Sequence, residues 1–260
     1  MRPGDWLILT ATALALVLLV ADGVTGGAVG AWSTVNLPGL AQGLGGALGQ
    51  FGLFASPLLA VPLLVALLHR IIAVPPVIHR VLRGAISWIE RATASIGGAA
   101  RWFALGLVIV TATIVIQRYV FGYASTKLQE SVIYMHALLF LLASASTLLA
   151  DGHVRVDIFY SKASKSGKAW IDLWGTYLAL MPMGALILWA STGYMNSTWR
   201  ILEQSRESDG LPFVFLLKTA IPLFAIMLIL QGFAMACRAA LTIADQEVPP
   251  LPKSTAGAEI

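Results

Sequence analysis

The chain has 260 residues, of which 58% are hydrophobic and only 12% charged, with a mean hydropathy of +0.80. Soluble domains carry about 25% charged residues, so this composition argues against a soluble catalytic fold. The net charge of +4 reads as basic loops that orient membrane helices. It does not read as a nucleic-acid surface, because no aromatic-plus-basic groove or known module accompanies it.

The first apolar run covers residues 6–20. Arg2 gives it the basic start of a signal peptide, but Asp5 is out of place in such a region and no small-x-small cleavage site follows Val20. The expectation is an uncleaved membrane helix. Residues 23–50 are Gly-rich and contain no Lys, Arg, Asp or Glu. They predict a non-cytoplasmic loop with a short helix after Pro38. The second run, 51–74, stops at Pro75-Pro76.

Residues 79–96 have a different pattern. Leu82, Ala85, Ile86, Ile89, Ala92 and Ile96 recur on one helical face, with Arg80, Arg83, Ser87, Glu90 and Arg91 on the other. This predicts an amphipathic interfacial helix, with Arg80, Arg83 and Arg91 anchoring it to headgroups. A solvated linker helix is the alternative.

The third run, 102–116, is closed by Gln117-Arg118-Tyr119, and the fourth covers 131–150. A polar stretch, 151–168, follows. The fifth run, 170–194, contains Pro182, which removes a backbone donor and predicts a kink. A second amphipathic segment is expected over 195–208, setting Met195, Trp199 and Leu202 against Arg200, Glu203 and Glu207 and ending at Asp209-Gly210-Leu211-Pro212. The sixth run, 213–236, carries Pro222. The tail from Asp245 is Pro-rich and polar, and reads as disordered.

With the N-terminus inside, the cytoplasmic segments hold 12 of the 17 Lys/Arg and the other side holds 5. The positive-inside rule therefore places both termini in the cytoplasm. Trp102, Tyr119, Trp170 and Tyr194 fall near the expected interfaces. The fold class is an all-α integral membrane protein with about six transmembrane helices and amphipathic interfacial segments.

Ionisable residues in membrane segments are functional candidates by default. Arg118 and Glu130 fall at one depth across a short loop, and predict a structural ion pair that fixes a hairpin. Asp151-Gly152-His153-Val154-Arg155-Val156-Asp157 is the densest polar cluster. His153, Arg155 and Asp157 there are expected to order the inner loop and touch a partner. No second His or Cys joins His153, so a metal site is not expected. An axial His69–His153 pair leaves a haem-binding redox subunit as an alternative; His136 has no matching partner. No phosphate-binding loop occurs. Lys218 is expected to snorkel. The single cysteine, Cys237, reads as a small apolar residue. Gly184, Ala185, Ala190 and Gly193 are candidates for close helix packing. No inverted repeat of the kind found in substrate-carrying transporters is visible, although a stand-alone carrier stays open.

The run from Glu130 through His136-Ala137-Leu138-Leu139-Phe140 to Thr147-Leu148-Leu149-Ala150 and His153-Val154-Arg155-Val156-Asp157 resembles the small membrane subunit (Q subunit, DctQ-like) of TRAP, tripartite ATP-independent periplasmic, transporters. The likeness extends from Gln117-Arg118-Tyr119 to Gly210-Leu211-Pro212 and Gln231-Gly232. It implies a four-helix core over 99–243, an N-terminal extension over 1–98 with two further helices, and a cytoplasmic tail over 244–260. It also implies a non-enzymatic support subunit without cofactor in the bacterial inner membrane. Its partners would be a large membrane subunit (M) carrying an organic acid with sodium, a periplasmic substrate-binding protein (P), and lipids.

Overall fold

The computed structural model describes residues 3–69, 71–153, 158 and 160–252. Arg155 and Asp157 lie outside them, as do Arg2, Arg70 and Lys253 of the topology count. Among the described residues there are helices and no strands. The α-helices are α1 (Pro3–Val24), α2 (Ala28–Ala55), α3 (Val61–Leu68), α4 (Pro76–Val120), α5 (Thr126–Leu149), α6 (Lys165–Gly175), α7 (Met181–Arg200) and α8 (Val214–Ile243). Six stretches are long and apolar enough to cross a membrane: Gly4–Val24, Ala28–Leu68, Pro76–Val120, Thr126–Leu149, Lys165–Arg200 and Val214–Ile243.

Four expectations are corrected. The predicted loop over 23–50 is mostly α2. Gly disfavours helix in water, but a backbone without water must satisfy its own hydrogen bonds, and a stretch with no charge was the signal for that. Gly26 (φ 67°) and Gly27 (φ 90°) make the left-handed turn before it, and Asp22 Oδ1 accepts from Gly30 N at 2.7 Å to cap it. The amphipathic segment over 79–96 is not separate from the third span. Both belong to α4, 45 residues without a break at Gly97-Gly98. The helix expected through 208 ends at Arg200. Finally, the tail is extended but held as far as Pro249, as shown below; its residues 253–260 lie outside the described set.

Prolines explain the irregular turns. Pro57 lies within a 3-10 segment, Ser56–Ala60, and Pro62 just after it. Pro57 cannot donate to Leu53 O, and Ser56 Oγ does so instead at 2.8 Å. Pro62 cannot donate to Leu58 O, which accepts from Val61 N. The kink expected at Pro182 is a π-helical turn, Thr176–Leu180, just before it. Helix ends follow a single device. Asp151 (φ 55°), Leu202 (φ 45°) and Asp245 (φ 52°) adopt the left-handed form at the residue after the cap. The next amide then reaches back five residues, as in Gly152 N to Thr147 O, Glu203 N to Thr198 O and Gln246 N to Leu241 O.

The chain forms two compact units. One comprises Met1–Gly49, Ser95–Ala143 and Ala190–Leu223; the other comprises Gln50–Ala94, Ser144–Trp189 and Phe224–Ile260. In the first, Gly4 lies so close to the backbone of Ser95, Gly98 and Ala99 that a Cβ has no room. Beside it, Asp5 Oδ1 accepts from Arg101 Nη2 at 2.9 Å and from Trp102 Nε1 at 3.0 Å. The Asp5 carboxylate that sat awkwardly in a signal sequence is therefore α1's tie to α4. In the second unit, Val65, Leu82, Ile86, Leu173, Cys237 and Leu241 form the core. Leu82 and Ile86 of the expected apolar face of α4 are buried there, and Cys237 is a buried free thiol.

Candidate functional site: two polar clamps

Lipid tails are as apolar as Leu, so helices in a membrane gain little by burying apolar area against each other. Close packing and polar ties hold them instead. Two sets of such ties dominate here.

The first lies in the first unit, between α5 and the loop joining α7 to α8. Glu130, one turn into α5, accepts from Ser205 Oγ and from Leu211 N, the latter at 2.6 Å. Gly210 is required beside it: a Cβ there would overlap Ser205 and stand 2.8 Å from Glu130 Oε1. Lys127 pairs with Asp209 at 2.8 Å. On the loop's other flank, Lys218 Nζ donates to Glu203 Oε2 at 2.5 Å, lies 4.2 Å from the Tyr194 ring centroid, and shares Glu203 with Thr198 Oγ1. These donors hold the Glu203 carboxyl below the usual carboxylate range, the Lys218 bond first and the Thr198 bond second.

Two sequence expectations change at this clamp. Glu130 is not paired with Arg118: among the described residues its partners are Ser205 and Leu211, and Arg118 is exposed. The loop's hydroxyl and amide reach the carboxylate, whereas a hairpin argument considers only groups near in sequence. Lys218 does not snorkel away; Glu203 folds back onto it.

The second clamp lies in the second unit. Glu90, 1% exposed, accepts from Arg238 Nε and from Nη2, the latter at 2.6 Å. Arg238 Nη1 donates to Pro249 O at 2.8 Å. One guanidinium thus joins α4, α8 and the tail. The bidentate geometry is the strong form of the interaction.

A family model described as "Tripartite ATP-independent periplasmic transporters, DctQ component" matches residues 107–242, just over half of the chain. The chain belongs to the DctQ family. No curated protein and no solved structure matches it. Glu130 and the Gly210-Leu211-Pro212 loop it holds both fall within the matched DctQ segment, as does Arg238. Glu90 falls outside it, so the second clamp ties a residue that precedes the matched segment to one within it.

The remaining candidates are dispersed. His153 is exposed, just past the turn that ends α5. Arg80 and Arg91 are exposed and Arg83 is half-buried; Arg91 Nε donates to Ser87 O at 2.7 Å. His69 Nδ1 lies 2.7 Å from Ala66 O, and the exposed His136 ring packs at a tilt of 48° against Phe140. Among the described residues no three His, Cys, Asp or Glu side chains converge as a metal site. Of the four small residues, Gly184 alone is at a packing contact, where a Cβ would stand 2.6 Å from Ile229 Cγ1. Ala185, Ala190 and Gly193 are exposed. Gly232, which the sequence did not single out as a packing residue, faces Leu180, where a Cβ would stand 2.9 Å from Cδ2.

Sequence reasoning placed Glu90 on the polar face. The signal against that was present: Leu82, Ile86 and Glu90 are spaced by four, which puts the carboxylate on the buried stripe.

Proposed function

We propose that this DctQ-family chain is a non-catalytic support subunit of a tripartite transporter in the bacterial inner membrane. In this reading, a separate large subunit carries an organic acid with sodium, and a periplasmic binding protein delivers the substrate. Both termini of the chain face the cytoplasm. The observation that carries the reading is the use of its buried and half-buried charges. Glu90 and Arg238 bind each other, and Glu130 and Lys218 bind the α7–α8 loop. A carrier needs polar groups that release one ligand and take another. These groups instead fasten helix to helix and helix to loop, which suits a body that must stay rigid while a neighbour moves. Arg80, Arg83 and Arg91 anchor that body at the headgroups, and His153, Arg155 and Asp157 contact the large subunit.

The test is reconstitution. Vesicles holding this chain with the large subunit and binding protein should take up the acid under a sodium gradient. Vesicles holding the chain alone should not. Uptake by the chain alone ends the proposal. Replacing Arg80, Arg83 and Arg91 together by Gln should lower uptake and assembly, and Arg155→Glu should weaken co-purification of the large subunit.

A further inference from the structure

Two lysines beside a cavity in the second unit have no carboxylate partner among the described residues. The cavity has a volume of about 310 Å³. Three membrane-span ends meet at it: Leu149 is the last residue of α5, Lys165 is the first of α6, and Thr242 is next to last in α8. Spans end where hydrocarbon gives way to headgroups, so the cavity lies at that boundary.

Its lining changes character accordingly. Leu148, Leu149 and Met235 are apolar, whereas Lys165 and Lys168 carry charge. Arg101, Lys127, Lys218 and Arg238 each have a carboxylate partner. Lys165 and Lys168 have none among the described residues; Lys168 only lies over the Tyr160 ring, 5.3 Å from its centroid. Asp151 and Asp172 also line the cavity, and both are engaged by other groups, Asp172 by Tyr160 Oη at 2.9 Å. Their charge disfavours a doubly charged anion, and Glu90 and Arg238, which also line the cavity, satisfy each other. The N-terminus of α6, at Lys165, adds positive potential. Gln231, 1% exposed and about three turns inside the end of α8, also lines the cavity, and its amide oxygen has no hydrogen-bond partner. Buried polar groups left open in this way mark a place for a polar ligand or water.

We propose that this cavity seats a phospholipid of the adjoining leaflet. Its phosphodiester lies between Lys165 and Lys168, and an acyl chain runs along Leu148, Leu149 and Met235. Inorganic phosphate would meet the lysines but gain nothing from the apolar wall, and a neutral amphiphile would leave the lysines unpaired.

The experiment measures phospholipid retained by the full chain after exhaustive detergent washing, by native mass spectrometry and phosphorus assay. The expectation is one phospholipid per wild-type chain. Lys165→Gln/Lys168→Gln should retain at least fivefold less, and Lys165→Arg/Lys168→Arg about as much as wild type. Leu149→Trp, which fills the apolar side and keeps both lysines, should also lose the lipid. Circular dichroism and gel filtration establish that each variant is folded. Equal retention by the wild type and the double Gln variant overturns the proposal. So does inorganic phosphate raising the wild-type Tm as far as a short-chain phospholipid does, since that is the behaviour of a free-phosphate site.

Discussion

Arg238 grips Glu90 through two parallel hydrogen bonds across 148 residues of sequence, and its remaining nitrogen holds the carbonyl of Pro249. Glu90 is buried on the core-facing stripe of α4, and the guanidinium is the group that makes this position tolerable. Removing one member of a buried pair leaves the other charge unsatisfied, which costs about 3–5 kcal/mol, whereas apolar replacement of both is often neutral. Arg238→Ala should therefore lower the Tm in detergent by several degrees. Glu90→Met/Arg238→Met should lie much nearer to wild type. Tryptophan fluorescence on heating reads both.

The Glu130 clamp makes a second stability prediction. Gly210→Ala places a methyl against Ser205 and Glu130, and overpacking of this kind costs about 1–3 kcal/mol. Adding Ser205→Gly should relieve the overlap and recover part of that loss. Ser205→Gly alone should be mildly destabilising, because Glu130 then keeps only the Leu211 amide. Double-mutant analysis of unfolding midpoints separates the two contributions.

Acidification tests the other flank of the same loop. Glu203 lies outside the membrane spans, and Lys218 and Thr198 hold its carboxyl below the usual range. A carboxylate with a lowered native pKa stabilises the fold above its unfolded pKa, and that contribution is lost as pH falls through the native value. At neutral pH the Tm of wild type should exceed that of Glu203→Gln. The difference should shrink below the ordinary carboxylate range and vanish once Glu203 is protonated. A difference that persists undiminished in acid would remove the charge-based explanation.

Two glycines of α7 should behave oppositely. Gly184 has Ile229 directly over it, whereas Gly193 has nothing within 4 Å. Gly184→Val should cost about 1–3 kcal/mol by forcing α7 and α8 apart. Gly193→Ala should be neutral or slightly stabilising, since Ala is the better helix former by about 1 kcal/mol. Comparing their thermal midpoints in one detergent checks both.

Much of this architecture was legible before any coordinates. Hydropathy gave the six spans in number, because a segment that must cross hydrocarbon needs length and apolarity regardless of its neighbours, but it set the second over 51–74 where the structure has Ala28–Leu68. The buried stripe of α4 followed from its period. An irregular turn near Pro182 followed from a missing donor, although its π-helical form did not. Misreadings arose where rules learned in water were applied to a backbone without it. The Gly-rich stretch from Ala28 read as loop for that reason, and the charged segment past Arg200 read as helix when its carboxylates and hydroxyl were in fact required for turns and ties.

The sequence by itself determined a membrane protein, the number of its spans, and its family, since each is written in composition, local period or a contiguous motif. Tertiary structure alone decided which charge meets which. Glu130 turned to Ser205 and Leu211 instead of Arg118, and Glu90 to Arg238, because in a medium of low dielectric a buried charge must be matched by whichever donor the packed helices bring within reach. Separation along the chain carries no information about that reach.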